Sequence, residues 1–199
     1  MQIGMRHFVY FSRNARTSGN FDTSDLMKAG RMDIAINVLI AAFFLSHDAR
    51  EDVVLHLVFY GMPDPPKHLE IQIKEDLQIS KKDVAGLIKR MLYKYKPGEK
   101  REVSNGCYIE KKSLLKIVEE LEKAGTQVFI LDKKGENLRE LEIDKDKDVA
   151  FVLGDHEGMP AKELKRLKQV AEPVSLGKKM YFASQSVVIV NHELDMRGI

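Results

Sequence analysis

The chain has no tryptophan, one cysteine (Cys107), six prolines and no surplus of either charge. A single cysteine excludes an intrachain disulfide and any multi-cysteine metal site, and it fits a reducing cytoplasm. No apolar run approaches the roughly 18 residues that a membrane span needs. The segment Met1–His7 lacks an apolar signal core, so a cytoplasmic location is expected. With 32 basic and 30 acidic residues, the formal charge of +2 names no partner; only the placement of the charges can. Nucleotide and hydrolase fingerprints are missing as well. There is no GxGxxG or GxSxG, and Gly177-Lys178-Lys179 has neither the spacing nor the Ser/Thr of a P-loop. His156 and His192 stand outside any ligand-spaced pair, so no metal is expected.

What is present describes a globular protein. At 199 residues, with 44% hydrophobic and 31% charged residues, the chain is most economically one domain spanning 1–199. His7–Phe11, Val53–Tyr60, Leu69–Ile73, Gln127–Leu131 and Val149–Leu153 read as strands, and Val53–Tyr60 is apolar on both parities, as a strand buried on both faces should be. Helical spacing links Ile34, Val38, Ala41, Ala42 and Leu45, then Val84, Leu87, Ile88, Met91, Leu92 and Tyr95, then Leu114, Ile117, Val118 and Leu121. Ser80–Asp83 has the form of a capping box, and Gly125 suits a left-handed cap. A short helix is expected over Ala161–Lys168, a charged loop from Leu131 to Asp148, and either loop or a short hairpin over 98–112. The alternation of strands and helices predicts an α/β fold with a mostly parallel sheet flanked by helices.

The last quarter carries the strongest functional signal. Two glycine turns, Val152-Leu153-Gly154-Asp155-His156-Glu157-Gly158 and Pro173-Val174-Ser175-Leu176-Gly177, each end an apolar strand. Ligands of open α/β sheets sit beyond the carboxyl ends of the strands, and a glycine there lets backbone approach a ligand closely. On spacing alone these glycines are equally well turn formers. A helix follows whose Val187-Val188-Ile189-Val190 run makes it apolar nearly all round, suited to deep core or to half of an interface.

Basic residues cluster twice. Arg6, Arg13, Arg16, Lys28 and Arg31 face only Asp22 and Asp25 in the first 31 residues, and Lys89, Arg90, Lys94, Lys96, Lys100 and Arg101 face only Glu99, with Tyr93 and Tyr95 interleaved. Such clusters suit phosphate contact, with a solvated helix surface as the alternative for the second. Arg13 and Arg16, in a Gly/Ser/Asn loop, and Lys89 and Arg90 are the candidate RNA contacts.

Leu153-Gly154-Asp155-His156-Glu157-Gly158, Ser175-Leu176-Gly177 and Ala183-Ser184-Gln185-Ser186 through Asn191-His192-Glu193-Leu194-Asp195 resemble the SPOUT class of S-adenosylmethionine-dependent RNA methyltransferases. Thr17-Ser18-Gly19-Asn20-Phe21, Ala29-Gly30-Arg31-Met32-Asp33, Ala42–His47 and Pro63-Asp64-Pro65-Pro66-Lys67 narrow the resemblance to the archaeal tRNA pseudouridine-54 N1-methyltransferases, over nearly the whole chain. Where that family's pattern has Cys, this chain has Ser186, of similar size. The resemblance implies a SPOUT-type α/β fold closed by a C-terminal trefoil knot, a homodimer and a tRNA substrate. It places S-adenosyl-L-methionine against main chain near Leu131, Leu153, Gly154, Ser175, Leu176 and Gly177, with Met180, Ala183 and Ser186 closing the pocket. Within such an enzyme Asp33 is the candidate general base and Arg31 the group stabilising a developing ring anion. A charge complementing the helix dipole is the alternative for Asp33. Two other readings stay open: the same fold acting on ribosomal pseudouridine or a ribose 2′-hydroxyl, and a dimeric RNA-binding protein without catalysis.

Overall fold

Val53–Phe59 (β2) is buried at every position and pairs in parallel with Arg6–Ser12 (β1), the strand at the middle of the sheet. The computed structural model describes residues 4–74 and 79–199; Met1–Ile3, part of the segment read for a signal, lie outside it. Beyond β1 and β2 come Lys67–Gln72 (β3), Arg101–Ser104 (β4), Cys107–Glu110 (β5), Gln127–Asn137 (β6), Val149–Gly154 (β7) and Glu172–Ser175 (β8). The eight strands form one sheet in the order β4-β5-β3-β2-β1-β7-β6-β8. The run from β2 through β8 is parallel, whereas β3, β5 and β4 add an antiparallel edge beside β2. The expected mostly parallel sheet is therefore a mixed one. Short connections account for the β2–β3 and β4–β5 pairs, since tight turns join antiparallel neighbours, whereas β3 reaches β5 by way of α2 and β4.

Two helical layers cover it. Met32–Phe43 (α1), Val84–Tyr93 (α2) and Ala183–Arg197 (α5) share one core with Phe8, Tyr10, Leu55 and Leu57, while Leu114–Lys123 (α3) and Ala161–Leu167 (α4) pack on the other face over Val9, Phe11, Val58 and Val152. Residues of alternate parity in β1 thus serve opposite layers, as the pleat requires.

Several local expectations change. The 98–112 region is a hairpin: Ser104 pairs with Cys107 around Asn105-Gly106, and Gly106 has φ 79. The helix after Ser80 starts only at Val84, capped by Asp83 without a side-chain bond, because the Asp83 carboxylate is taken by Arg90 at 3.0 Å. Leu45 falls beyond the end of α1 and is 43% exposed. Gly125 does take the left-handed conformation after α3, with φ 88. Helix α5 is not deep core on every side: Val187, Val190, Asn191 and Leu194 are buried, but the apolar Val188 is 53% exposed.

The largest departure lies in β6, which runs to Asn137 where a charged loop was expected from Leu131 onward. Val174 of β8 pairs with Leu131 and again with Glu136. Gly135 lies directly on the Pro173–Val174 peptide, where any Cβ would collide. The Leu138 N–H then donates to the Ser175 carbonyl at 2.9 Å. Backbone pairing to this short strand, rather than side-chain pattern, holds the polar Asp132–Asn137 stretch extended.

Candidate active site at the carboxyl ends of the parallel strands

Strands β7, β6 and β8 are neighbours, so Leu131, Leu153-Gly154 and Ser175-Leu176-Gly177 come together at one sheet end, as expected. Gly154 tolerates no side chain, since a Cβ would sit 2.9 Å from the Gly158 carbonyl carbon. Ser175 is buried, and its Oγ accepts the Gly177 N–H at 3.1 Å. That bond fixes a turn in which Gly177 has φ 112, open to a glycine and strained for other residues. These ends present main chain, not charged side chains. A group recognised through backbone N–H and C=O fits them.

Helix α5 begins just beyond. Ala183 packs partly buried against the core and Ser186 is half-buried, whereas Met180 is 81% exposed in the single chain. Phe182, also largely exposed, donates its N–H to the Gln185 side chain at 3.0 Å, which starts the helix.

Asp155 is the residue that the sequence undervalued. It is buried, and it accepts from Ser12 Oγ at 3.2 Å and the Arg13 N–H at 3.1 Å, and from the Glu157 N–H at 2.9 Å. One carboxylate thereby ties the ends of β1 and β7 to the loop that carries Arg13. Hydrogen bonds to a carboxylate are among the stronger ones, so this pin is worth more than an ordinary loop contact. Tyr10 lies below, fully buried, and its hydroxyl has no hydrogen-bond partner among the described residues. Burial pushes the Tyr10 phenol up, and the nearby Asp155 carboxylate pushes it further.

Arg31 and Asp33 enter from the start of α1. Arg31 takes a left-handed backbone, φ 62, and grips Asp33 through Nε–Oδ1 and Nη2–Oδ2 bonds of 3.0 Å each. That bidentate bond holds the Asp33 carboxyl below its ordinary range. The pair is half-exposed, so it is open to a ligand.

The loop after β1 is held on three sides. Gly30 and Gly61 both abut the Asn14 carbonyl, and the Thr17 hydroxyl donates to the Gly61 carbonyl and accepts the Asp64 N–H, each at 2.8 Å. On the third side a Cβ on Gly19 would sit 2.5 Å from the Tyr93 ring. The loop of the first basic cluster therefore packs on the helix of the second, which their distance in sequence concealed, whereas Arg6 is buried at the other end of β1 in ion pairs with Asp52 and Asp195. On that loop Arg13 is exposed and Arg16 is half-buried. Lys89 is used otherwise: its ammonium donates to the Phe21 carbonyl at 2.6 Å, and Arg90 is paired with Asp83.

A family model described as "putative SAM-dependent RNA methyltransferase" matches residues 5–199. The chain belongs to this family. Within it, the tRNA (pseudouridine(54)-N(1))-methyltransferase of Methanococcoides burtonii is 33% identical over 195 residues, 96% of each chain. The protein of the same name from Pyrococcus abyssi is 34% identical over 205 residues, 98% of this chain and all of the relative. Among solved structures, Archaeoglobus fulgidus Nep1 bound to S-adenosylhomocysteine superposes with a TM-score of 0.63 at 16% identity, covering 99% of this chain and 100% of that one. That likeness shows a shared fold.

Proposed function

We propose that the protein methylates N1 of pseudouridine 54 in the T-loop of tRNA, using S-adenosyl-L-methionine and working as a cytoplasmic homodimer. The observation that carries the target is full-length identity of 33–34% to relatives bearing that name. S-adenosyl-L-methionine would supply an electrophilic methyl group on its sulfonium. Leu131, Leu153, Gly154, Ser175, Leu176 and Gly177 would hold it by main chain, with Met180, Ala183 and Ser186 at the rim.

The residues of the α1 start then act on the target base. Arg31 is a fixed cation placed to stabilise negative charge on the ring oxygens as N1 gives up its proton. Asp33 accepts that proton. Because Arg31 keeps the carboxylate weakly basic, it takes the proton as N1–H turns acidic during bond formation, not beforehand. Arg13 and Arg16 bind phosphates of the tRNA arm, and Lys89 with Arg90 forms the neighbouring edge of that surface. A base within a folded loop must leave its stack to reach such a site.

Two architectural features belong to the same proposal. The double pairing of Val174 with Leu131 and Glu136 supports a segment 132–148 wrapped around β8, the arrangement of a trefoil knot. The exposed apolar residues Phe182, Val188 and Met196 on and beside α5 support a second copy packing there. Calorimetry with S-adenosyl-L-methionine tests the cofactor reading: saturable binding, one molecule per chain, is expected, and no heat at millimolar donor would contradict it.

A further inference from the structure

Three histidines cross the α3 face of the sheet in a hydrogen-bonded row, away from the site above. His7 Nδ1 meets His56 Nε2 at 3.0 Å, His56 Nδ1 meets His68 Nε2 at 2.9 Å, and His68 Nδ1 meets Glu110 Oε1 at 3.0 Å. The rings stack at 5.3 and 5.1 Å between centroids. His56 and His68 are buried, and Glu70 lies in register opposite His56 on β3. One donor atom from each of His56, His68 and Glu70 falls within 4.8 Å of the other two. These three residues, with His7, Gln72, Lys100, Lys112 and Glu120, line a cavity of about 230 Å³ between the sheet and α3.

We propose that His56, His68 and Glu70 bind a divalent transition cation of the zinc class, completed by water from the cavity. Two imidazoles and one carboxylate suit zinc, cobalt or nickel, whereas magnesium and calcium prefer oxygen alone. Ligand atoms bound at about 2.1 Å in a tetrahedron lie about 3.4 Å apart, so the His56–His68 gap opens by roughly half an ångström.

The surrounding bonds already orient the ligands. Glu110 accepts the His68 Nδ1–H, which leaves the His68 Nε2 lone pair facing His56, the carboxylate–histidine–metal arrangement. Without a cation, His56 Nδ1–H fills that lone pair and His7 Nδ1–H fills the one on His56 Nε2. With a cation, the His56 proton sits on Nε2 and is accepted by His7 Nδ1. The His7 proton then sits on Nε2, 3.8 Å from the Asp148 carboxylate. Each ring keeps one proton, and none is released.

Two lysines face the site. Lys100 holds Glu70 at 2.8 Å and must release it, a half-exposed pair whose loss costs little. Lys112 is neutralised by Glu110 and Glu120 at 2.9 and 2.7 Å. The sequence offered no hint, since residues 56, 68 and 70 match no ligand spacing within a helix or loop. Only the sheet register gathers them.

Titration of the full, chelator-dialysed chain with zinc chloride in a calorimeter, and with cobalt chloride in a spectrophotometer, tests the site. One equivalent should bind at micromolar or lower concentration, and cobalt should show the intense visible bands of a four-coordinate ion. Glu70→Gln, which alters a half-exposed residue, should bind zinc at least tenfold more weakly while melting normally. Lys100→Ala should bind zinc more tightly, and His192→Ala, at an exposed remote histidine, should change nothing. Absence of a saturable equivalent, unchanged zinc affinity in Glu70→Gln, or loss of binding in His192→Ala would each overturn the proposal.

Discussion

Arg31 and Asp33 are locked together by two 3.0 Å hydrogen bonds at the first turn of α1, with Arg31 the only non-glycine among the described residues at positive φ. Holding a side chain on left-handed backbone costs about 1 kcal/mol or more, and such strain concentrates at functional sites. Asp33→Asn should therefore slow single-turnover methyl transfer by about 10²-fold while leaving donor affinity unchanged. Arg31→Lys keeps the charge but loses the fork, and a fall of about tenfold or more is expected. Parallel rate and calorimetry measurements separate these effects from misfolding.

Gly135 makes the most severe stability prediction. Its missing Cβ lets segment 132–137 lie on the Pro173–Val174 peptide, and backbone on both sides leaves nothing able to yield. Gly135→Ala should cost about 3 kcal/mol or more, at the upper end of overpacking penalties, and should be visible as a large fall in thermal midpoint. Gly98→Ala, with nothing near its missing Cβ, serves as the comparison: only its φ of 83 is strained, so its loss should be about 1 kcal/mol.

The exposed Arg13 makes a salt-dependent prediction. Arg13→Gln should weaken tRNA binding and lower the slope of log affinity against log salt by about 1, the signature of one lost phosphate contact. Lys89→Ala should act differently, because its ammonium bonds the Phe21 carbonyl. Its expected effect is a loosened 17–21 loop, read as faster amide exchange there.

Asp64 links stability to acidity. Hydrogen bonds from Lys111 and from the buried Lys67 hold its carboxyl at about 2, below the ordinary 3.8. A carboxyl lowered on folding contributes stability that is complete above its unfolded value and disappears as pH falls through its folded value. The difference in thermal midpoint between the wild type and Asp64→Asn should therefore be greatest above pH 5, shrink below pH 4 and close near pH 2. A difference that grew on acidification would contradict this assignment.

Much of this molecule was legible in its residues because the pattern and the physics agreed. Val53–Phe59 is apolar on both parities because it lies between two helical layers, and the strand-end glycines at 154 and 177 mark turns that only glycine or a strained residue can make. Where tertiary pairing overruled local pattern, the residues misled. Lys133, Lys134 and Glu136 belong to an extended stretch because β8 lies alongside to receive its backbone bonds. Asp155 gave no signal because its partners, Ser12 and Arg13, are more than a hundred residues away. The His7–His56–His68 row was invisible for the same reason.

The most direct measurement of the central claim is nucleoside mass spectrometry of two tRNAs, with uridine or with pseudouridine at position 54, after incubation with the protein and labelled S-adenosyl-L-methionine. The account predicts one methyl group on N1 of the pseudouridine and none on the uridine tRNA, because only the isomerised base offers a ring N–H at that position. A methyl group on the uridine tRNA, or on a ribose of either, would contradict it.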